Sequence, residues 1–190
     1  ARKFWGSELA ADFSTYEGKA LAAKRIQDRQ YAKESLILCD FTWPITRARY
    51  AEDRVGDSAI ESKLVSAVTG REIDESGLYQ LGERVLNLHR AIFAREGHRG
   101  RESDTLPEPC YTVPLETDSR NPECLVPGEG GQAITKKGTV IDREQFEKLK
   151  DEYYELRGWD VASGRQTEAK LEELKLGDIT EDLRQRGLVL

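Results

Sequence analysis

Five of the six prolines in this chain fall between residues 107 and 127: Pro107, Pro109, Pro114, Pro122 and Pro127. Proline removes a backbone donor and cannot sit inside a helix or a central strand, so regular structure is broken in one place and left free elsewhere. With Gly128, Gly130, Gly131 and Gly138 beside them, these residues define an irregular stretch from His98 to about Ile141. Loops of that length inside a compact domain are uncommon and are usually functional or wrapped over something. The plainer reading is a surface excursion with a small hairpin around Gly138, and the residues do not choose between the two. The sixth proline, Pro44, pushes Trp43 out of helical geometry and ends any helix before it.

On both sides of this stretch apolar residues recur with a helical period. Phe4-Trp5-Gly6 reads as a short helical or turn segment. Ser14-Thr15-Tyr16-Glu17 has capping-box spacing, and a pattern runs from it to about Leu38. Ala20, Ala23, Ile26, Ala32 and Leu36 form its apolar stripe, while Lys19, Lys24, Arg25, Asp28, Arg29 and Lys33 are expected to face water. Asp57-Ser58-Ala59-Ile60-Glu61 caps a second helix with Ile60, Leu64, Val65 and Val68 inward and Gly70 as its stop. Asp74 or Ser76 opens a longer one carrying Leu78, Leu81, Val85, Leu86, Leu88, Ile92 and Phe93 to Gly97. The short link between these two predicts an antiparallel core pair. Asp142-Arg143-Glu144-Gln145 then caps a helix bearing Phe146, Leu149, Tyr153 and Leu156 up to Gly158. Two short helices follow, Thr167 to about Leu176 and Thr180 to about Gln185. The expected fold class is mainly α: an irregular helical bundle with a helical core in 1–97, the Pro/Gly-rich excursion at about 98–141, and C-terminal helices in 142–190.

Composition narrows the function. The net charge is −6 and both signs are interspersed, whereas a nucleic-acid groove needs a concentrated positive stripe. No apolar run approaches the ~18 residues of a membrane span, and no signal-peptide pattern opens the chain. Cys39, Cys110 and Cys124 are an odd, sparse set without C-x-x-C, which argues against a disulfide framework and for a reducing cytoplasm. There is no methionine, even at position 1, and we expect a piece of a longer protein.

Chemistry gathers in Glu34-Ser35-Leu36-Ile37-Leu38-Cys39-Asp40, closed by Phe41-Thr42-Trp43-Pro44. If the helix reaches Cys39, Glu34 and Leu38 share a face and the thiol is turned about 140° from the carboxylate. The residues leave Cys39 open to several roles. It can be a plain buried thiol, or a nucleophile, although His89 falls mid-helix and His98 just beyond a helix end. It can also be one ligand of an iron–sulfur cluster or zinc whose other ligands lie elsewhere. A site built from all three cysteines and a histidine has no spacing signature. Glu34 and Asp40 are either solvated helix-surface carboxylates or, held at a helix end, acceptors for the N–H groups of a flat heterocycle.

Several local patterns, taken in order, resemble the C-terminal part of the tungsten-containing aldehyde ferredoxin oxidoreductase family over almost the whole chain. They are Tyr16-Glu17-Gly18-Lys19-Ala20 with Ile26-Gln27-Asp28-Arg29, and Glu34-Ser35-Leu36-Ile37-Leu38-Cys39, similar to the family's Asp-x-x-Gly-Leu-Cys. Leu86-Asn87-Leu88 with Arg95-Glu96-Gly97 follows, then Asp104-Thr105-Leu106-Pro107, then Tyr153-Tyr154-Glu155-Leu156-Arg157-Gly158-Trp159-Asp160. Two positions depart from the family: Glu34 is one methylene longer than the usual Asp, and Ile37 replaces a Gly, which works against close backbone approach to a pterin.

The resemblance implies that Cys39 is one of four thiolate ligands of a [4Fe–4S] cluster. It implies that the Glu34 carboxylate hydrogen-bonds one pterin of a tungsten bis-pyranopterin and that Leu38 lines that site. The implied reaction is two-electron oxidation of an aldehyde to a carboxylic acid, with electrons leaving singly through the cluster to ferredoxin. An N-terminal pterin-binding domain would supply the remaining ligands, so this chain alone is expected to be inactive and without cofactor. An unfinished surface is then expected around Leu38 to Trp43. Set apart from the resemblance, the residues also fit a stand-alone helical interaction module anchored by Trp5, Trp43 and Trp159, or a zinc-stabilised domain.

Overall fold

A computed structural model describes residues 1–38 and 52–190. The fold is mainly α. In chain order the described helices are α1 (Arg2–Trp5), α2 (Lys19–Ser35), α3 (Ile60–Thr69), α4 (Glu75–Arg95), α5 (Pro109–Thr112), α6 (Arg143–Arg157), α7 (Glu168–Glu173) and α8 (Gly177–Gln185). One antiparallel pair joins them, β1 (Leu125–Pro127) against β2 (Ala133–Thr135), with Val126 opposite Ile134. This hairpin turns through Gly128–Gln132, closed by Gly128 N–H donating to Gln132 O at 2.7 Å, and not around Gly138. Among the described residues no helix is long and apolar enough to cross a membrane.

Several expected helix stops and starts hold at the level of single hydrogen bonds. Asp74 caps α4 by accepting from Gly77 N at 2.7 Å, and Asp142 caps α6 by accepting from Gln145 N at 2.9 Å. Gly70 and Gly158 close α3 and α6 in the left-handed region, the conformation that suits glycine. The capping box at Ser14 does not form. Asp12 takes both the N–H and the hydroxyl of Ser14, Thr15 takes the N–H of Glu17, and α2 begins only at Lys19.

The principal helix pair is α2 with α4, and α6 packs on α2 as well; the expected α3–α4 pair is a minor contact. The reason lies at Gly82, where a Cβ would stand 1.8 Å from the Asp28 carbonyl oxygen. Only glycine lets the two backbones approach this closely.

The expected solvent face of α2 is turned inward. Asp28, Arg29 and Lys33 are buried, whereas Ile26 of the expected apolar stripe is 45% exposed. Partners distant in sequence compensate the buried charges. Arg157, fully buried on α6, donates to Asp28 Oδ1 and to Gln27 Oε1 at 3.0 Å. Lys24 donates to Asp28 Oδ2 at 2.8 Å, and Glu83 of α4 lies 3.3 Å from both Lys24 and Lys170. Arg29 donates to Glu61 at 2.6 Å. This last pair rotates α3, so that Glu61, Ser62 and Val65 point inward while Leu64 and Val68 are exposed. On α6, likewise, Lys150, Tyr154 and Arg157 are buried, Phe146, Leu149 and Tyr153 are half-buried, and Leu156 is exposed.

The other end of the molecule is apolar. Ala91 of α4 packs with Leu171, Leu174, Leu176 and Leu183, and the chain end closes on it through Glu168 N–H to Leu190 O at 2.7 Å. Between the two ends sits Trp159, buried, its indole N–H donating to Asn87 Oδ1 at 2.9 Å. Gln166 donates to the same Asn87 oxygen at 2.7 Å.

Candidate functional site

The segment singled out by sequence begins at the end of α2. Because Ala32 and Lys33 are buried, Glu34 and Ser35 face outward. The Glu34 Oε1 accepts from Gln30 Nε2 at 2.8 Å, one turn back. The helix then closes on itself: Ile37 N–H donates to Glu34 O and Leu38 N–H to Lys33 O, both at 3.0 Å. This is a Schellman ending with Ile37 at the C′ position. Ile37 has φ of 60° and is 94% exposed, a conformation that is strained for a β-branched side chain. The reversal means that Glu34 and Leu38 do not share a helical face, since regular helix stops at Ser35. Leu38 is half-buried. Cys39, Asp40 and Phe41 to Pro44 lie outside the described residues, as does the rest of the expected surface around Trp43.

A cavity of about 570 Å³ runs along α2 from its start to Tyr31, one turn before Glu34, and is lined by α2, α4, α6 and the segment 103–105. Its α2 wall is Lys19, Ala20, Ala23, Gln27 and Tyr31, and Glu34 continues the stripe of Ala20, Ala23, Gln27 and Tyr31 three residues on. Tyr31 OH and His89 Nδ1 are 3.3 Å apart with their rings edge-on. Across the cavity Arg90 lies over the Trp159 ring, 4.7 Å from its centroid, and forms a two-pronged bond to Asp104. Tyr154 OH also donates to Asp104, at 2.6 Å. Burial alone would raise the Asp104 carboxyl, but the bonds from Arg90 and Tyr154 outweigh it and hold the group below the usual carboxylate range. Burial and the Arg90 charge push His98, 3.3 Å from Asp104, below its ordinary value. Gly100 N–H donates to His98 Nδ1 at 3.1 Å, and His98 Nε2 lies 3.3 Å from Asp104 and 3.4 Å from Arg90.

Residues 3–176 match the family model for aldehyde ferredoxin oxidoreductase, domains 2 and 3. The chain belongs to the aldehyde ferredoxin oxidoreductase family. Its fold is similar to that of a solved chain from the active site complex BamBC of benzoyl coenzyme A reductase in complex with 1,5-dienoyl-CoA, at a TM-score of 0.62 and 20% identity. The alignment covers 93% of this chain and 22% of that one, so this chain spans about a fifth of its structural relative.

Several of the residues that carry the family resemblance build the buried polar frame. Asp28 binds Arg157, Asn87 binds Trp159, and Asp104 binds Arg90 and Tyr154. Their sequence signal was visible as motif, but their work is to fix α2, α4 and α6 against one another. The Tyr31–His89 pair and the cavity beside it were not anticipated; the only hint in the sequence is the spacing of Gln27, Tyr31 and Glu34 on one helix. Among the described residues no group of three or more His, Cys, Asp or Glu side chains is placed to hold a metal ion. Cys110 and Cys124 are free thiols, half-buried and buried respectively; a site built from all three cysteines would include Cys39, which lies outside the described residues.

Proposed function

We propose that this chain is the helical part of a tungsten-pterin, iron–sulfur oxidoreductase that oxidises aldehydes to carboxylic acids and passes the electrons to ferredoxin. The family match over residues 3–176 carries this reading. In it, Glu34 accepts hydrogen bonds from a pterin, Leu38 packs against it, and the Cys39 thiolate is one of the cluster's four ligands. What is described of this segment fits: a carboxylate that faces outward, anchored by Gln30, at the end of a helix locked from behind. The cofactors supply the two-electron oxidation and its division into single-electron steps. The chain's own contribution is positional. The Asp28–Arg157 and Arg29–Glu61 pairs fix the rotation of α2 and so decide which way Glu34 points.

The missing ligands belong, in this reading, to an N-terminal pterin-binding domain of the same protein, and the 190-residue chain alone is inactive. Metal analysis of that chain, purified without oxygen, tests the division of labour: iron and tungsten well below stoichiometric amounts are expected. Stoichiometric loading of the isolated chain would refute it.

A further inference from the structure

A second cavity, of about 540 Å³, lies between the start of α2, α6 and the Pro/Gly-rich excursion. Its apolar walls include Phe13, Val113, Leu115 and Val140, which are 42%, 60%, 41% and 44% exposed. Four large apolar side chains left open around one hollow is an arrangement that marks a binding surface. Two cations, Lys19 and Lys136, also line it, and among the described residues no carboxylate and no arginine does.

The charges near this cavity do not cancel. Lys19 donates to two backbone carbonyls, Leu9 O and Asp12 O, and sits 5.2 Å above the Phe13 ring, so its ammonium is hydrogen-bonded without a directly bonded anion. Asp12 is an anion whose field reaches both lysines, and its carboxylate is already held by the N–H and hydroxyl of Ser14 at 2.8 and 2.6 Å. Two ammonium groups and one occupied carboxylate leave a net positive rim on an apolar hollow. Bidentate binding of a phosphate or sulfate favours the planar fork of arginine, which does not line this cavity. Point-charge ammonium groups beside an apolar wall suit a singly charged head on an apolar body.

We propose that this cavity binds an apolar organic monocarboxylate, of medium-chain acyl or aryl type, with its carboxylate toward Lys136 and Lys19 and its body between Phe13 and Val113. The volume lies in the lower half of the range of small-molecule sites. The site stands about 22 Å along α2 from Glu34, taking 1.5 Å per residue, and does not depend on whether α2 carries cofactor ligands.

The probes are octanoate and its neutral counterpart octanamide, titrated calorimetrically into the chain. Cys110, which also lines the cavity, serves as a local reporter through peptide-mapped alkylation by iodoacetamide. Saturable octanoate binding is expected, with octanamide weaker by about tenfold or more. Octanoate should slow alkylation at Cys110. K136Q should bring acid and amide to similar affinity with an unchanged circular dichroism spectrum, and V113D should weaken the acid further. Equal affinity of acid and amide in the unsubstituted chain, no protection of Cys110, or no saturation at all would overturn the proposal.

Discussion

The two ends of this molecule are held together by opposite means. Where α7 and α8 meet α4, the contact is made of leucines, with Leu171 and Leu183 fully buried. Where α2 meets α4 and α6, buried charges stand among the apolar contacts of Ala32 with Leu78 and of Tyr31 with Leu86 and Tyr154, and Asp28 and Arg157 are about as buried as Leu171 and Leu183. An apolar contact tolerates small shifts, because burying area is non-directional. A buried ion pair repays its desolvation only in good geometry. The ionic end is therefore the one that fixes the orientation of a helix, and it is the end that carries Glu34.

Breaking each end separately exposes the difference. Replacing Arg157 with Met leaves the Asp28 carboxylate buried without its guanidinium and should cost about 3–5 kcal/mol, measured by denaturant unfolding. Removing both partners, Arg157→Met with Asp28→Leu, should recover much of that loss, since the penalty is a buried carboxylate left with Lys24 alone, and Lys24 keeps Glu83 at 3.3 Å. At the apolar end, Leu183→Ala should cost about 2–5 kcal/mol, and no second substitution that removes a partner should restore it.

A smaller change sharpens the comparison at the helix end itself. Ile37→Gly relieves a left-handed β-branched residue and should stabilise the chain by about 1 kcal/mol in the same unfolding experiment. The smallest expected effect is on pH dependence. His98 has a folded value below its ordinary 6.5, so the unfolded chain binds the extra proton. Stability is then complete above about 6.5 and falls as pH drops through the folded value. Asp104, held below 3.8, adds a further loss in stronger acid. His98→Gln should flatten the first part of that curve between about pH 7 and 5 and leave the second in place.

The same contrast explains what could be read from the sequence. The α4 and α6 starts were legible because Asp74 and Asp142 act within three residues of themselves. The mainly α architecture was legible because prolines cluster in one stretch. The faces of α2, α3 and α6 were not, because a hydrophobic period assigns every charge to solvent. Arg157 and Asp28, 129 residues apart, escape any local window. The α2–α4 pairing was hidden for a related reason: it depends on one glycine meeting one carbonyl, with no pattern around it. At the candidate site, the direction of Glu34 was set by the burial of Lys33, a residue expected in water. The family motif singled out Glu34 and Cys39, for which periodicity alone left several roles open.

In the proposed function the end of α2 carries one ligand of a redox centre shared with the rest of a longer protein. The most direct measurement is electron paramagnetic resonance with iron analysis on the complete gene product, purified without oxygen, comparing it with its Cys39→Ser variant. A reduced [4Fe–4S] signal in the unsubstituted protein that is lost or converted in the variant is the predicted result. An unaltered cluster signal and unaltered iron content after the substitution would mean that Cys39 is not a cluster ligand.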